Sequence, residues 1–385
     1  MNGTSQYPPK ERLKVVHLVV AGAIGGAERL LVELATRPDI TGADHAVALI
    51  SYDDALPKYF GDAGLVVHYG GCVPQNPFRY LTTTFGPRTL KWLEGVLRQE
   101  RADLVHTHTF GSHLLGPRAA ERVGIPSLRT EHHLYHYEYL SMSPFTHWGA
   151  KRTTRFVAVS DYIRRSVTHA APYLAEKICT IRNGVDTEHF AHAPVAPGSR
   201  TDRPLVFAVV SRLDEWKGID LAIEGLAGVP GAVLKIAGSG PDRPRLEATM
   251  EKAGVADRVE FLGFVSDVRP VIADADVLVS GSDRDPAPLS VLETLSVGRP
   301  MIAYDDGGIP EFVQQGISGW LVPERTPKAY AAAMAEAAAN RDRLPAMGDA
   351  GRLFVAQNCT IDTMCSEYAQ AYRDTVAARW VERNR

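Results

Sequence analysis

The stretch Leu205-Val-Phe-Ala-Val-Val-Ser-Arg-Leu-Asp-Glu-Trp-Lys-Gly218 decides the fold class. It opens with an unbroken apolar run, which predicts a strand buried on both faces, as in a parallel sheet. A polar loop follows, and from Gly218 a helical pattern carried by Ile219, Leu221 and Ala222. Strand, loop and helix in that order make the repeating unit of a doubly wound α/β sheet. Such sheets bind ligands at the carboxyl ends of their strands. Arg212 and Lys217 flank the loop at one such end, where two cations can neutralise a diphosphate leaving group. The plainer alternative is a pair of solvated surface charges.

The same rhythm runs along all 385 residues. Strands are expected at 13–20, 46–51, 65–69, 103–107 and 156–160, then at 205–211, 233–237, 259–262, 277–280 and 301–304. Helical patterns fill the gaps; Ala27, Leu30, Leu31 and Leu34 form an i, i+3, i+4, i+7 stripe. The length exceeds what one core usually serves. The segment 191–204, rich in Ala, Pro, Gly and Ser, reads as a linker. Two domains are expected: 1–195, joined by a C-terminal helix at 363–385, and 196–362. In that helix Met364, Tyr368, Tyr372, Val376 and Trp380 recur every four residues, and the apolar face is expected to pack across both domains.

Composition is that of a globular protein, 45% hydrophobic and 23% charged. A net charge of −3 gives no footprint for nucleic acid. No apolar run reaches bilayer length, and the polar segment 1–12 has no signal core. Four cysteines without metal or disulfide spacing suit a cytoplasmic protein.

The run Asp285-Pro-Ala-Pro-Leu-Ser-Val-Leu-Glu293 carries the second half of the chemistry. A helix starting near Pro288 leaves Asp285 in the preceding loop and Glu293 inside the helix. Carboxylates accept hydrogen bonds from sugar hydroxyls, so one can hold a ribose and the other a hexose. The competing reading makes Asp285 a cap and Glu293 a solvated helical residue. Gly25-Gly26, between the first strand and its helix, lets a ligand approach backbone N–H groups that attract anions; a tight turn explains it as well. Glu28 suits the positive end of that helix.

His106 and His108 alternate onto one face of a strand end. Zinc is conceivable there, but no third ligand has clear spacing, and no metal is assigned. His113, His132 and His133 add polar groups, expected on neighbouring loops. Residues 132–148 are dense in aromatics, Tyr135 and Tyr137 among them, and then turn basic at Lys151, Arg152 and Arg155. Aromatic faces stack on sugar rings and basic groups meet phosphates. An aromatic loop packed on its own domain is the structural alternative, and the same mix suits a peripheral membrane contact.

In this order the motifs resemble the retaining glycosyltransferases of family 4, with the GT-B fold of two doubly wound Rossmann-like domains facing a central cleft. The resemblance runs through Gly25-Gly-Ala-Glu28, His106-Thr-His108, Val159-Ser-Asp161, Asn183-Gly-Val-Asp186, Ser211-Arg212 with Lys217-Gly218, Ala237-Gly-Ser-Gly240, Phe261-Leu-Gly-Phe264 and Gly307-Gly-Ile-Pro-Glu311. It implies that Arg212 and Lys217 grip the donor diphosphate, Glu293 holds the ribose and Asp285 contacts the donor sugar. His108 would lie beside the anomeric carbon. Gly25, Gly26, Phe264, Leu289 and Ser290 would line the donor site, and His132, His133, Tyr135 and Tyr137 the acceptor site. No metal is implied; the co-substrate is a nucleoside-diphosphate sugar, of UDP type. Two departures stand out. Asp285 replaces the usual glutamate and reaches about 1.5 Å less. Pro288 replaces a frequent glycine and has no N–H, leaving the amides of Leu289 and Ser290 to serve.

The activity implied is transfer of a hexose to a hydroxyl of a small molecule, natural product or lipid-linked glycan. A degenerate scaffold that binds sugar nucleotides without turnover, and a sugar-nucleotide isomerase on the same frame, are the competing readings. Oligomeric state is open.

Overall fold

The computed structural model describes residues 11–22, 24–51, 55–72, 76–191 and 203–383. The chain divides into two compact units, Met1–Asn183 with Ile361–Arg385, and Gly184–Thr360. Most of the expected linker, 191–204, lies outside the described residues.

The first unit holds a seven-stranded parallel sheet in the order β3-β2-β1-β4-β5-β6-β7. Its strands are β1 Leu13–Ala21, β2 Ala43–Ser51, β3 Val66–Cys72, β4 Leu104–Thr107, β5 Ser127–Glu131, β6 Arg155–Ala158 and β7 Ile178–Thr180. Side chains alternate between two buried faces. Val16, Leu18 and Val20 pack on Leu90, Leu93 and Leu97 of helix Pro87–Gln99. On the opposite face Val19 joins Leu31, Val47, Leu49 and Phe60. The order reverses direction between β1 and β4, so a crevice opens beyond their carboxyl ends.

The second unit holds six parallel strands in the order β10-β9-β8-β11-β12-β13. These are β8 Val206–Val210, β9 Val233–Ala237, β10 Val259–Gly263, β11 Val277–Ser280, β12 Met301–Tyr304 and β13 Gly319–Val322. Phe207, Val209, Leu234, Ile236 and Val277 build its core with Tyr330 and Met334 of helix Pro327–Ala339. Here the reversal falls between β8 and β11. The doubly wound α/β organisation read from the sequence is the observed one.

Three strands escape the apolar-run criterion. β5 reads Ser-Leu-Arg-Thr-Glu, yet every residue is buried, because Arg129, Thr130 and Glu131 find side-chain partners inside the unit. β7 has three residues and β13 four, one a glycine. The strand expected at 65–69 exists as β3, but as a sheet edge with Val66 exposed rather than buried on both faces.

The C-terminal helix Ile361–Arg383 belongs to the first unit, with Met364, Tyr368, Tyr372 and Val376 buried. The side chain of Trp380, which completes the expected stripe, lies outside the described residues. Within this unit the helix packs on β4 and β5. The Tyr368 hydroxyl lies 3.0 Å from Thr130 Oγ1, and the Tyr372 hydroxyl 3.1 Å from His106 Nδ1.

Candidate active site

In the second unit the reversal point between β8 and β11 is bordered by a small cavity of about 10 Å³. Ser211, Lys217, Ser282 and Ser290 line it, all from the carboxyl ends of the two strands or the helix that follows. The segment after β8 is held by backbone contacts. Asp283 N donates to Trp216 O at 3.0 Å, and Arg325 bonds both Gly281 O (2.9 Å) and Trp216 O (3.2 Å). Gly218 adopts φ +60°, and Gly281 packs so tightly on it that an added Cβ would lie 2.3 Å from Gly218 O. This close approach fixes where Lys217 stands.

Lys217 Nζ donates to Asp285 Oδ2 at 2.6 Å and sits 3.9 Å from the centre of the Trp216 ring. Both members of the ion pair are largely shielded from solvent, at 16% and 8% side-chain exposure. Asp285 is presented by a strained loop. Arg284 has φ +45°, a conformation costly for a side-chain-bearing residue, and Gly308 N donates to Asp285 O at 2.9 Å. Arg212 sits apart from this pair: its guanidinium is exposed and bonded to Asp214, with Nε 2.8 Å from Oδ2.

Helix Leu289–Val297 starts directly after Pro288, so Leu289 and Ser290 occupy the first turn, where helix amides have no intrahelical acceptor. Glu293 is buried within this helix, which removes the reading of it as a solvated residue. Phe264, just past β10, is 78% exposed.

In the first unit the reversal point receives Gly25-Gly26 after β1 and His108 after β4. The Gly25 amide is already engaged, donating to Glu28 Oε2 at 3.0 Å. Glu28 is itself buried, and desolvation raises its pKa. His108 is held at the backbone, where its N–H donates to Ser112 Oγ at 3.0 Å.

Around His108 lies a buried polar stripe invisible to the motif reading. His17 is level with His106 across β1 and β4, and His45 comes from β2. Thr41 Oγ1 donates to Arg37 O (3.0 Å), so it accepts from His45 Nε2–H at 2.9 Å. His45 Nδ1 is then the acceptor for His17 Nε2–H, and His17 Nδ1 the acceptor for His108 Nε2–H, each at 2.9 Å. One set of tautomers satisfies all these contacts. It leaves His108 Nδ1 as a bare lone pair, buried without a partner among the described residues. Burial holds these imidazoles neutral: His45 is lowered to about 4, and His17, His106 and His108 fall well below the ordinary value. His108 and His132 border a small cavity of about 10 Å³ with Leu30, Leu34 and Tyr368. A signal existed in the sequence, since a histidine interrupts the apolar run of β1 at its centre.

His17, His106 and His108 each bring a ring nitrogen within 4.8 Å of the others, as do His113 and His136 with each other and with a carboxylate oxygen of Glu131. In the first group both nitrogens of His17 and of His106 are engaged by neighbours. In the second, the buried Arg129 guanidinium already occupies the centre, with Nε 2.6 Å from Glu131 Oε1 and Nη2 2.9 Å from His136 Nε2. His113 is not on a loop but inside helix Phe110–Val123.

The aromatic segment folds as two short helices, Tyr135–Glu138 and Ser143–Ala150. Tyr137 is buried, its hydroxyl donating to Glu131 Oε1 at 2.8 Å. Its ring is thereby closed to a sugar. Tyr135 and Tyr139 are exposed, as is Leu140 at 92%. His133 stacks obliquely on Tyr135, ring centres 5.6 Å apart.

Comparison with known proteins gives a consistent picture. Residues 24–189 match the family described as Glycosyltransferase Family 4, and residues 196–354 the one described as Glycosyl transferases group 1. The putative colanic acid biosynthesis glycosyltransferase WcaL of Salmonella typhimurium is 38% identical over 42% of each chain. A GDP-mannose-dependent alpha-(1-6)-phosphatidylinositol monomannoside mannosyltransferase of Mycobacterium tuberculosis is 36% identical over 51% of this chain and 56% of its own. The matched part thus spans about half the length of these relatives. Anabaena HepE in complex with UDP superposes with a TM-score of 0.82 over 94% of this chain and all of its own, at 20% identity, a likeness of fold.

Proposed function

We propose that the chain is a family 4 type glycosyltransferase of GT-B fold and that it moves a hexose, with retention, from a nucleoside-diphosphate sugar to an acceptor hydroxyl. The observation that carries this reading is the Lys217–Asp285 pair at the β8/β11 reversal point. A diphosphate entering there competes with Asp285 for the ammonium. Lys217 then neutralises charge on the departing phosphate, and the displaced carboxylate becomes an acceptor for hydroxyls of the donor sugar. The first-turn amides of Leu289 and Ser290 supply the anion-binding helix start that Pro288 cannot. Arg212, exposed and among the described residues bonded through its guanidinium to Asp214, can swing toward the same phosphates. In this scheme the leaving phosphate oxygen takes the acceptor proton on the face where the new bond forms. No metal is required, because cationic side chains carry the charge.

A UDP-type donor is proposed from the likeness to the UDP-bound fold, with GDP the alternative suggested by the mannosyltransferase relative. The acceptor is proposed to be a glycan, lipid-linked or free, used in the cytoplasm. Among the described residues no helix is long and apolar enough to cross a membrane. The exposed face of Tyr135, Tyr139 and Leu140 offers sugar-stacking or membrane-surface contacts.

Thermal stability with UDP, GDP, dTDP and ADP, and with their sugar conjugates, tests the reading. A ligand at about 100 times its Kd adds about 2.7 kcal/mol. One base should stabilise clearly, and its sugar conjugate further. No shift from any of them at millimolar concentration would overturn the donor site and favour a scaffold without turnover.

A further inference from the structure

The basic residues that follow the aromatic segment are not part of either reversal point. Lys151 and Arg152 stand before β6, at the amino ends of the strands and away from His108. There they border a pocket of about 120 Å³ together with Glu121, Ser127, Lys177 and Arg379. Ser127 opens β5, Lys177 precedes β7, and Arg379 comes from the C-terminal helix. Four cations therefore face one carboxylate. Among the described residues neither Lys151 nor Lys177 is in an ion pair, while Arg152 Nε lies 3.7 Å from Glu121. Like charges around a concavity repel unless an anion joins them.

A second observation marks the same place. Ser127 is 1% exposed, and its Oγ has no hydrogen-bond partner among the described residues. A buried hydroxyl without a partner is uncommon and calls for an occupant. Its own amide is satisfied by Thr154 Oγ1 at 3.2 Å, so the hydroxyl proton is what remains to give. The volume holds about four waters at roughly 30 Å³ each, room for one tetrahedral oxyanion.

The geometry points to a phosphate-binding pocket at the amino ends of β5, β6 and β7, separate from the donor diphosphate site. It takes a single phosphate group, as the free ion or as a phosphomonoester at the end of a lipid. Ser127 donates one hydrogen bond, and Lys151, Arg152, Lys177 and Arg379 supply the charge. Because Arg379 belongs to helix Ile361–Arg383, an occupant ties that helix to the strand ends.

Inorganic phosphate titrated into the full chain by calorimetry at constant ionic strength tests this. UDP is kept saturating, or Lys217→Ala is used, so that the donor site does not report. Saturable binding is expected, weakened at least about tenfold by Lys151→Ala/Lys177→Ala and clearly reduced by Ser127→Ala. Flotation with phosphatidylcholine vesicles, with and without phosphatidic acid, separates the sources. Capture by phosphatidic acid that the same variants abolish assigns the phosphate to a lipid. Binding of free phosphate without vesicle capture assigns it to the soluble ion. Absence of both, or binding that the lysine and serine variants leave unchanged, overturns the proposal. The surface lysine variants are expected to keep their fold, which far-UV circular dichroism checks.

Discussion

Lys217 and Asp285 lie 68 positions apart in the chain and meet at 2.6 Å. Each neutralises the other where a diphosphate is proposed to bind. Removing one partner therefore does not mirror removing the other. Lys217→Ala is expected to lower kcat by about 10²-fold, the scale for losing one preorganised charge on a developing anion. Asp285→Asn frees the ammonium. Free nucleoside diphosphate, of whichever base stabilises the wild type best, should then bind about tenfold more tightly, a change of roughly 1.4 kcal/mol, while turnover falls. Calorimetry of both variants decides. Weaker binding in Asp285→Asn would show that the carboxylate supports the diphosphate rather than competing with it.

Gly281→Ala probes the scaffold under that pair. The new Cβ would fall 2.3 Å from Gly218 O, which is backbone and cannot step aside as a side chain would. The segment carrying Lys217 must shift, at a cost of about 1–3 kcal/mol in local strain. Donor affinity is expected to drop by about tenfold while circular dichroism stays that of the wild type. Gly231→Ala, where no atom lies within 4 Å of an added Cβ but φ is +77°, is the comparison variant. It should destabilise without touching the donor.

How much of this was open to the sequence depends on range. The β8–loop–helix unit was legible because an apolar run and its helix are local patterns, and Arg212 and Lys217 fall at its loop by counting. Asp285 and Lys217 were each legible, but their contact was not, since nothing local sets one loop against another. β5 was hidden because Arg129, Thr130 and Glu131 are buried by pairing rather than by apolarity. His17 and His45 were hidden as partners of His108 because only the register of β1, β2 and β4 brings them together. Tyr137 looked like a stacking residue; its hydroxyl found Glu131 instead.

The buried histidines predict how stability follows pH. In the unfolded chain they bind protons near pH 6.5. In the folded chain burial suppresses this, with His45 lowered to about 4 and His132 to about 3. A depressed histidine pKa means that the unfolded state binds more protons between the two values, so stability rises with pH across that window. It is complete above about pH 7 and is lost as pH falls through 6.5 toward 4. Each histidine that stays neutral contributes a slope of about 1.4 kcal/mol per pH unit there. His17, His106 and His108 act in the same direction. Calorimetric melting from pH 5 to 8 should show a plateau, then a steep fall below about pH 6. A flat profile would mean that the stripe is hydrated and protonates in place.

Thr41 gives the finest test of the same stripe, since its hydroxyl proton sets the direction of the whole chain of imidazoles. With the hydroxyl donating to Arg37 O, every ring from His45 to His108 carries its proton on Nε2. Thr41→Val keeps the shape but removes the acceptor for His45 Nε2–H. The orphaned donor costs about 1–3 kcal/mol if the tautomers hold. The chain lowers that cost by inverting, which puts a proton on His108 Nδ1. Long-range ¹⁵N correlation spectra should show His108 as the Nε2–H tautomer in the wild type, a mixed or inverted population in Thr41→Val, and the wild-type state again in Thr41→Ser. Glycosyl transfer should fall in Thr41→Val in proportion to the inverted fraction, if the bare Nδ1 is what the substrate meets. An Nδ1–H tautomer in the wild type would reverse the assignment from Thr41 onward.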